Sequence, residues 1–307
     1  MGARSRDSVE RSPSSETTMT YTEFMRLFPD NAACLDYLKE KFYADGTACP
    51  KCGKASKFHR ITGRSAYSCQ FCGHHVYPTA GTIFHKSTTS LQLWFWAIFL
   101  MSSTRCGISA KQLEREIGVT YKTAHRMFKQ IRRLLTEGDD EPMTGEVEMD
   151  ETYVGGKDRA GRVGRPSRDS AKVPVFGMVE RQGRVRAVVV TDASTATLSE
   201  AIGTHVLPES MIFTDEWSPY ERIGRNFREH HRIKHRAGVY VDGNVHTNTI
   251  EGFFGNLKNG IRGVYHAVSR DYLQSYLNEY AWRYNHRQDR RPMFWTILDQ
   301  VQKPTAA

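Results

Sequence analysis

The sequence has no run of about 18 uncharged apolar residues, which is the length that a helix needs to cross a bilayer. Its longest apolar stretch, LQLWFWAIFLM at residues 91–101, is too short for this and predicts a buried helix. Residues 1–20 have no apolar core, which argues against a secretory signal peptide. We therefore expect no membrane association, and a disordered polar tail over residues 1–19.

Cysteine is scarce, and no internal repeat is visible. Four of the cysteines form two CxxC pairs, and in a chain without a secretion signal this favours metal ligation over a disulfide framework. The six cysteines are Cys34, Cys49, Cys52, Cys69, Cys72 and Cys106.

Positive charge is in excess: 43 Lys and Arg residues stand against 34 Asp and Glu residues, for a net charge of +9. Such an excess points to a polyanionic partner, with nucleic acid as the first candidate. The length of 307 residues suggests about two to three domains.

The two CxxC pairs, CPKC at residues 49–52 and CQFC at residues 69–72, have the spacing of a zinc ribbon. Gly53 and Gly73 follow the pairs and suit the tight turn around a metal. Four thiolates complete a tetrahedral shell, so we expect one structural Zn²⁺ ion. The alternatives are reduced pairs that arose by chance and a redox CxxC motif, which would not need the second pair.

Residues 108–135 have the layout of a helix-turn-helix. Ser109 can cap a helix that Gly118 ends, and Thr120 can cap a second helix that begins at Tyr121. The second helix could enter a major groove, since its outward positions carry Lys122, Lys129, Arg132 and Arg133. The residues expected to contact bases are Tyr121, Lys122, Thr123 and His125. The alternative is an ordinary helical hairpin with a solvated basic face.

Acidic residues recur on strand-like and helical segments in the second half of the chain. Residues 144–157 alternate like a strand, with Glu146, Glu148 and Asp150 on one face. Asp215 ends an apolar strand, SMIFTDEWSPY. Three acids on one side of a strand repel one another unless a cation lies nearby, so the pattern predicts a functional site in this region.

The helical segment 246–266 carries a further acid, Glu251. Asn248, Lys258 and Arg262 share its polar face and are candidate DNA contacts. Gly255 on that face would let a phosphate backbone come close. The order of elements, with acids on the first strand, the fourth strand and the last helix, is that of a ribonuclease H-like domain. Three carboxylates there can hold two Mg²⁺ ions.

These motifs together resemble the zinc-ribbon DDE transposases of bacterial insertion sequences, the ISXO2-like family. The motifs that carry the resemblance are the ribbon, the helix-turn-helix, VEMDETYVGGK, IFTDEWSPY and HTNTIEGFFGNLKNGIRGVYH, and it covers roughly residues 20–300. The family's catalytic acids map onto Asp150, Asp215 and Glu251, and Asn248 and Lys258 match its pattern around the third acid.

The resemblance implies a multidomain chain with a zinc ribbon, a helix-turn-helix and an α/β ribonuclease H-like domain built on a mixed five-stranded sheet. The expected limits are a helical segment at 20–44, the ribbon at 45–82, the DNA-binding helices at 83–138 and the catalytic domain at 139–303.

The implied activity is cleavage and strand transfer of DNA with two Mg²⁺ or Mn²⁺ ions. The implied partners are transposon terminal inverted repeats, target DNA and further copies of the chain in a synapse, in the bacterial cytoplasm. Basic stretches at 155–172 and 222–236 are candidate phosphate contacts. The alternatives are a catalytically silent, domesticated DNA-binding protein and a nuclease of the same fold that acts on branched DNA.

Overall fold

A computed structural model describes residues 18–104, 106–136, 141–155, 172–233 and 246–303. Its contacts divide the chain into two compact units. The first, here called the ribbon unit, contains residues up to 104, residues 110–134 and residues from 289 onward. The second, the sheet unit, contains residues 106–109 and 135–288 within the described ranges. No helix in the described ranges is long and apolar enough to span a membrane.

The described residues form helices in both units, very short strands in the ribbon unit and longer strands in the sheet unit. The helices are α1 (Tyr21–Leu27), α2 (Asn31–Tyr43), α3 (Leu91–Ser103), α4 (Ala110–Ile117), α5 (Tyr121–Leu134), α6 (Thr195–His205), α7 (Ser218–Gly224), α8 (Asn248–Gly260), α9 (Arg270–Asn285) and α10 (Met293–Asp299). The strands are β1 (Thr47–Ala48), β2 (Ala55–Ser56), β3 (Phe58–Arg60), β4 (Tyr67–Cys69), β5 (His75–Val76), β6 (Glu146–Val154), β7 (Val173–Glu180), β8 (Val185–Val189), β9 (Met211–Thr214) and β10 (Glu229–Arg232).

The apolar stretch at residues 91–101 forms helix α3, as the sequence predicted, and it lies in the core of the ribbon unit. Trp94 and Phe95 are fully buried. Phe95 packs edge-on against Phe28, with ring centroids 4.9 Å apart, and Phe294 of α10 lies 5.8 Å from Phe28. Aromatic pairs at these distances stabilise a core beyond their buried area.

Helices α4 and α5 confirm the predicted helix pair and its turn. Gly118, with φ of +67°, adopts the left-handed conformation that glycine tolerates at a helix end. The hydroxyl of Thr120 accepts a 3.4 Å hydrogen bond from the backbone of Thr123, as expected of a helix cap. The prediction that Arg132 faces outward is wrong. Arg132 is only 3% exposed, and its guanidinium lies 5.6 Å from the centre of the Phe128 ring.

The sheet unit is built on a mixed five-stranded sheet, as predicted, in the order β10-β9-β6-β7-β8. Strand β9 runs parallel to both β6 and β10, whereas β7 is antiparallel to β6 and β8. One sheet face packs on α8 and α9 through residues such as Val175, Phe253 and Leu277. The other packs on α6 and α7 through residues such as Met149 and Ile202. The sheet is therefore buried on both faces.

Strand β10 was not expected as a separate element, because its sequence reads as a basic stretch. Residues 229–232 nevertheless pair in parallel with residues 211–214 and form one edge of the sheet. The rest of this predicted DNA-contact stretch, beyond residue 233, lies outside the described residues. So does nearly all of the other basic stretch, at residues 155–172.

Strand β8 forms the other edge, and amide side chains of α9 bind its free backbone groups. Asn285 accepts a 2.7 Å hydrogen bond from the Val185 amide and donates to its carbonyl over 3.1 Å. Gln274 does the same for the Val189 amide and the Ala187 carbonyl. These bonds occupy an edge that would otherwise be open to pairing with another strand.

Candidate metal and active sites

The four CxxC cysteines converge in the ribbon unit. Their sulfur atoms all lie within 4.8 Å of one another. Two of the separations between the CxxC pairs are 3.7 Å, from Cys49 Sγ to Cys72 Sγ, and 3.9 Å, from Cys52 Sγ to Cys69 Sγ. A tetrahedral zinc ion with Zn–S bonds of about 2.3 Å requires sulfur separations of about 3.8 Å. The cluster therefore has the dimensions of a four-thiolate zinc site.

The two glycines after the pairs have the role that the sequence predicted. Gly53 and Gly73 have φ of +70° and +69°, a conformation open to glycine at little cost. Their amides donate to the carbonyls of Cys49 and Cys69 over 2.9 and 3.0 Å. Each pair is therefore wrapped in the same tight turn. The pKa of the Cys69 thiol is lowered to about 6, chiefly by a 3.1 Å hydrogen bond with the Ser56 hydroxyl and also by the Cys72 and Phe71 amides, which favours the metal-binding thiolate.

The acids of the sheet unit meet where β9 ends beside the middle of β6. Strand β6 pairs with β9 so that Glu148 lies opposite Phe213. Asp150 and Asp215 each follow two residues later, so the two aspartates lie next to each other at this point of the sheet. Carboxylate oxygens of Asp150, Asp215 and Glu151 lie within 4.8 Å of one another. The register of one parallel pair thus brings together two acids that are far apart in sequence.

The Asp150 carboxyl is half-buried in a negatively charged environment. Burial raises its pKa well above the usual value, and the charges of Glu151, Asp215 and Glu251 raise it further. The Glu151 amide donates a 2.8 Å hydrogen bond to it, which acts in the opposite direction. A cation placed among these carboxylates would relieve the repulsion.

Glu251 reaches this region from helix α8, which packs across the sheet. Gly177 on β7 lies directly opposite Asp150 in the ladder. A Cβ atom at Gly177 would lie 2.6 Å from Phe254 and 2.7 Å from Ile250, both on α8. The absence of a side chain at this position therefore lets α8 come close beside Asp150. Glu251 itself is exposed, and its Oε1 accepts a 2.8 Å hydrogen bond from the Thr247 hydroxyl.

Sequence analysis missed Glu151, which the structure places beside Asp150 and Asp215. Among the described residues, the tightest carboxylate group contains Glu151 and not Glu251. The buried Tyr220 hydroxyl donates a 2.7 Å hydrogen bond to the Glu151 Oε2 atom. Because neighbouring side chains of a strand point to opposite faces, alternation along β6 gives no reason to group Glu151 with Asp150. The available signal was its position next to Asp150 in the sequence.

The predicted DNA contacts form an accessible polar face: Asn248 and Lys258 lie on α8, and Arg262 lies in the π-helix Ile261–Tyr265 that follows it. Asn248 and Arg262 are exposed, and Lys258 is half-buried. Burial lowers the pKa of Lys258, while the charge of Asp150 acts to raise it. Nothing lies within 4 Å of the position that a Cβ of Gly255 would take. This face combines positive charge with open space near the acids.

The predicted DNA contacts on α5 lie in the ribbon unit. Tyr121 is 48% exposed. Lys122 and Lys129 are exposed, and Thr123 and His125 are half-buried. The rings of Tyr121 and His125 lie 5.9 Å apart. Burial, followed by the charges of Arg132 and Lys129, lowers the pKa of His125.

Both units are similar to known protein families. Residues 142–285 match the family of ISXO2-like transposase domains, and residues 29–75 match the family of transposase zinc-ribbon domains. A Halobacterium salinarum protein described as an "uncharacterized protein in transposable element ISH50" is 29% identical, over 84% of this chain and 92% of its own length. A Haemophilus influenzae "uncharacterized transposase-like protein" is 27% identical, over 39% of this chain and 94% of its own length.

A four-cysteine ribbon together with a five-stranded α/β unit that carries clustered carboxylates defines a protein of the transposase class. The chain contains an ISXO2-like transposase domain and, before it, a transposase zinc-ribbon domain. This confirms the family that the sequence motifs indicated.

Proposed function

We propose that this transposase cuts and joins DNA at a site formed by Asp150, Asp215 and Glu251. The observation that supports this most strongly is the arrangement of their carrier elements: β6, the end of β9, and the first turn of α8. We further infer that the sheet unit has the ribonuclease H-like fold. The sheet order and the helices on both faces are consistent with that inference.

The acid site fits two divalent cations, Mg²⁺ or Mn²⁺. Its donors are carboxylate oxygens, which suit hard cations. Burial is the largest cause of the raised pKa of Asp150, and the charges of Glu151, Asp215 and Glu251, which cations would neutralise, raise it further. When bound, such ions polarise the phosphodiester and lower the pKa of an attacking water or 3′-OH. Asp150, Asp215 and Glu251 would hold them, with Glu151 beside the first two.

The polar face of α8 would place the DNA backbone against these carboxylates. Lys258 and Arg262 supply charge for phosphates, and Asn248 can donate a hydrogen bond. Gly255 leaves room for close approach of the backbone. Cleavage at an element end and attack of the freed 3′-OH on target DNA are both displacements at phosphorus. One set of carboxylates can therefore serve both steps.

The ribbon unit would recognise DNA without taking part in the reaction. One Zn²⁺ ion held by Cys49, Cys52, Cys69 and Cys72 would be structural, because four thiolates leave no open position. We propose that α4 and α5 form a helix-turn-helix whose Tyr121, Lys122, Thr123, His125 and Lys129 contact the terminal inverted repeats. Two element ends must be joined, so we expect a homo-oligomer in the synapse.

The test is a cleavage and strand-transfer assay in Mg²⁺, on DNA that carries the ends of the element. Asp150→Asn, Asp215→Asn and Glu251→Gln should each lower the rate by about 10³-fold or more, since metal stabilisation of the transition state is worth several kcal/mol. Glu200→Gln, which changes an exposed acid of α6, is the matched control and should cut normally. Wild-type product formation by Asp150→Asn would refute the proposal.

A further inference from the structure

A second acid of strand β6, Glu148, is fully buried yet lies outside the carboxylate cluster. Its residue is 0% exposed. Its Oε2 accepts hydrogen bonds from the amides of Thr249 and Ile250, at 2.8 and 3.2 Å. Its Oε1 accepts one from the Thr249 hydroxyl at 2.9 Å and lies 3.2 Å from His246 Nδ1. Glu148 therefore binds the first turn of α8, where an anion is favoured by the helix dipole.

Arg181, which directly follows β7, neutralises the buried charge of Glu148 and also contacts other elements of the sheet unit. Its Nε donates to Glu148 Oε1 over 3.0 Å, and its Nη1 donates to Glu146 over 2.9 Å. Its Nη2 donates to the His246 carbonyl over 3.0 Å. The guanidinium also lies 3.8 Å from the centre of the Phe213 ring on β9. The planar fork of arginine can make these contacts at once, which a lysine cannot.

Glu148 itself, and the residues that the Glu148–Arg181 pair contacts on β9 and α8, each lie two residues before one of the three acids. Glu148 lies two residues before Asp150 on β6, and Phe213 lies two residues before Asp215. Thr249 lies two residues before Glu251 on α8. A single buried ion pair thus contacts all three acid-bearing elements, each at the same distance along the chain from its acid.

We propose that Glu148 and Arg181 are positioning residues that fix Asp150, Asp215 and Glu251 relative to one another for metal binding. This inference rests on the proposed function of the three acids. Glu148 does not hold the metal itself, because its oxygens are occupied by α8 and Arg181. Loss of the pair would let α8 shift relative to β6 and β9, so that Glu251 no longer meets the two aspartates in a fixed geometry.

The experiment measures Mn²⁺ binding to the full-length protein by electron paramagnetic resonance of free Mn²⁺, alongside the DNA cleavage rate. Glu148→Gln should raise the half-saturating Mn²⁺ concentration by about 10-fold or more, the usual effect of losing a partner that orients metal ligands. Arg181→Lys keeps the charge but loses the fork, so it should show a smaller shift. It also serves as the test if Glu148→Gln does not fold.

The matched control is Glu279→Gln, which breaks another buried pair of the sheet unit. Glu279 is 0% exposed and accepts a 2.8 Å hydrogen bond from Arg283, within helix α9. This variant should lose stability without a change in Mn²⁺ affinity. Equal Mn²⁺ affinities in Arg181→Lys, Glu279→Gln and wild type would overturn the positioning role.

Asp150→Asn separates this failure from failure of the proposed function. If Asp150→Asn binds Mn²⁺ and cuts DNA like wild type, the acid site itself is misassigned. If Asp150→Asn loses both Mn²⁺ binding and DNA cleavage, while the variants of Glu148 and Arg181 have the same Mn²⁺ affinity as Glu279→Gln, only the positioning role is wrong.

Discussion

The two candidate metal sites differ in how the chain assembles them. The outermost zinc-site cysteines, Cys49 and Cys72, are 23 residues apart, and each CxxC turn presents two ligands by local geometry alone. The carboxylate site is joined by contacts such as that between Glu148 and Thr249, which are 101 residues apart. The first site depends on local turns, and the second depends on sheet register and helix packing.

This difference determines how the fold responds when a metal-binding side chain is removed from each site. The ribbon has a small apolar cluster around Phe58 and Tyr67, so its metal contributes to folding directly. The acid site gathers like charges and destabilises the fold unless cations are bound. Loss of a zinc ligand should therefore unfold a region, whereas loss of an acid should leave the fold intact.

The largest effect is expected from Cys69→Ser. Structural zinc contributes about 10–16 kcal/mol of apparent binding free energy in zinc-finger peptides, so the ribbon should lose its structure. Amide hydrogen exchange should become fast over residues 45–82 and stay slow in β6 and β7. Cys106→Ser, which changes an exposed cysteine outside the cluster, should exchange like wild type. Preserved protection in the ribbon of Cys69→Ser would contradict a structural zinc site.

An intermediate effect is expected from Gly177→Ala, which tests the packing of α8 beside Asp150. The new methyl group would overlap Phe254 and Ile250. Such overpacking costs about 1–3 kcal/mol, and the shift of α8 should also slow DNA cleavage. Urea unfolding and the cleavage assay measure the two effects.

Gly252→Ala is the matched control: it adds the same methyl group on α8 itself, where nothing lies within 4 Å of the Cβ position. It should stabilise the protein by up to about 1 kcal/mol, because alanine favours helix. If both alanine variants behave alike, close approach of α8 to the sheet is not required.

The smallest effect concerns His230 on edge strand β10, whose Nε2 lies 2.8 Å from the Thr214 hydroxyl. Burial, with the charges of Arg232 and His231, lowers its pKa from 6.5 to about 4. The unfolded chain therefore binds a proton that the folded chain does not, and stability falls as pH drops from about 6.5 through about 4.

Partial solvent exposure reduces this effect to about 1 kcal/mol. The measurement is the free energy of unfolding in urea at pH 7 and pH 4.5, for wild type and His230→Gln. Wild type should lose more stability than the variant over this range. Equal losses would show that His230 is not the group responsible.

Local signals in the sequence predicted the elements that depend on neighbouring residues. The zinc knuckles, the turn at Gly118 and strand β6 all belong to this group. The sequence did not reveal that Arg132 is buried, that residues 229–232 form a strand, or that Glu151 lies with Asp150 and Asp215. The strand depends on pairing with β9, and the position of Glu151 depends on Asp215 and Tyr220, which are distant in sequence. Strand alternation grouped Glu148 with Asp150 on one face, although in the structure Glu148 binds α8 and Arg181 and lies outside the carboxylate cluster.

The most direct test of the division between recognition and reaction measures DNA binding and DNA cutting on the same element ends. Asp150→Asn should bind the ends with wild-type affinity in a gel-shift assay and cut them about 10³-fold or more slowly than wild type at every Mg²⁺ concentration. Cys69→Ser should lose specific binding. Cleavage at the wild-type rate by Asp150→Asn, or specific binding that survives loss of the zinc site, would contradict the account.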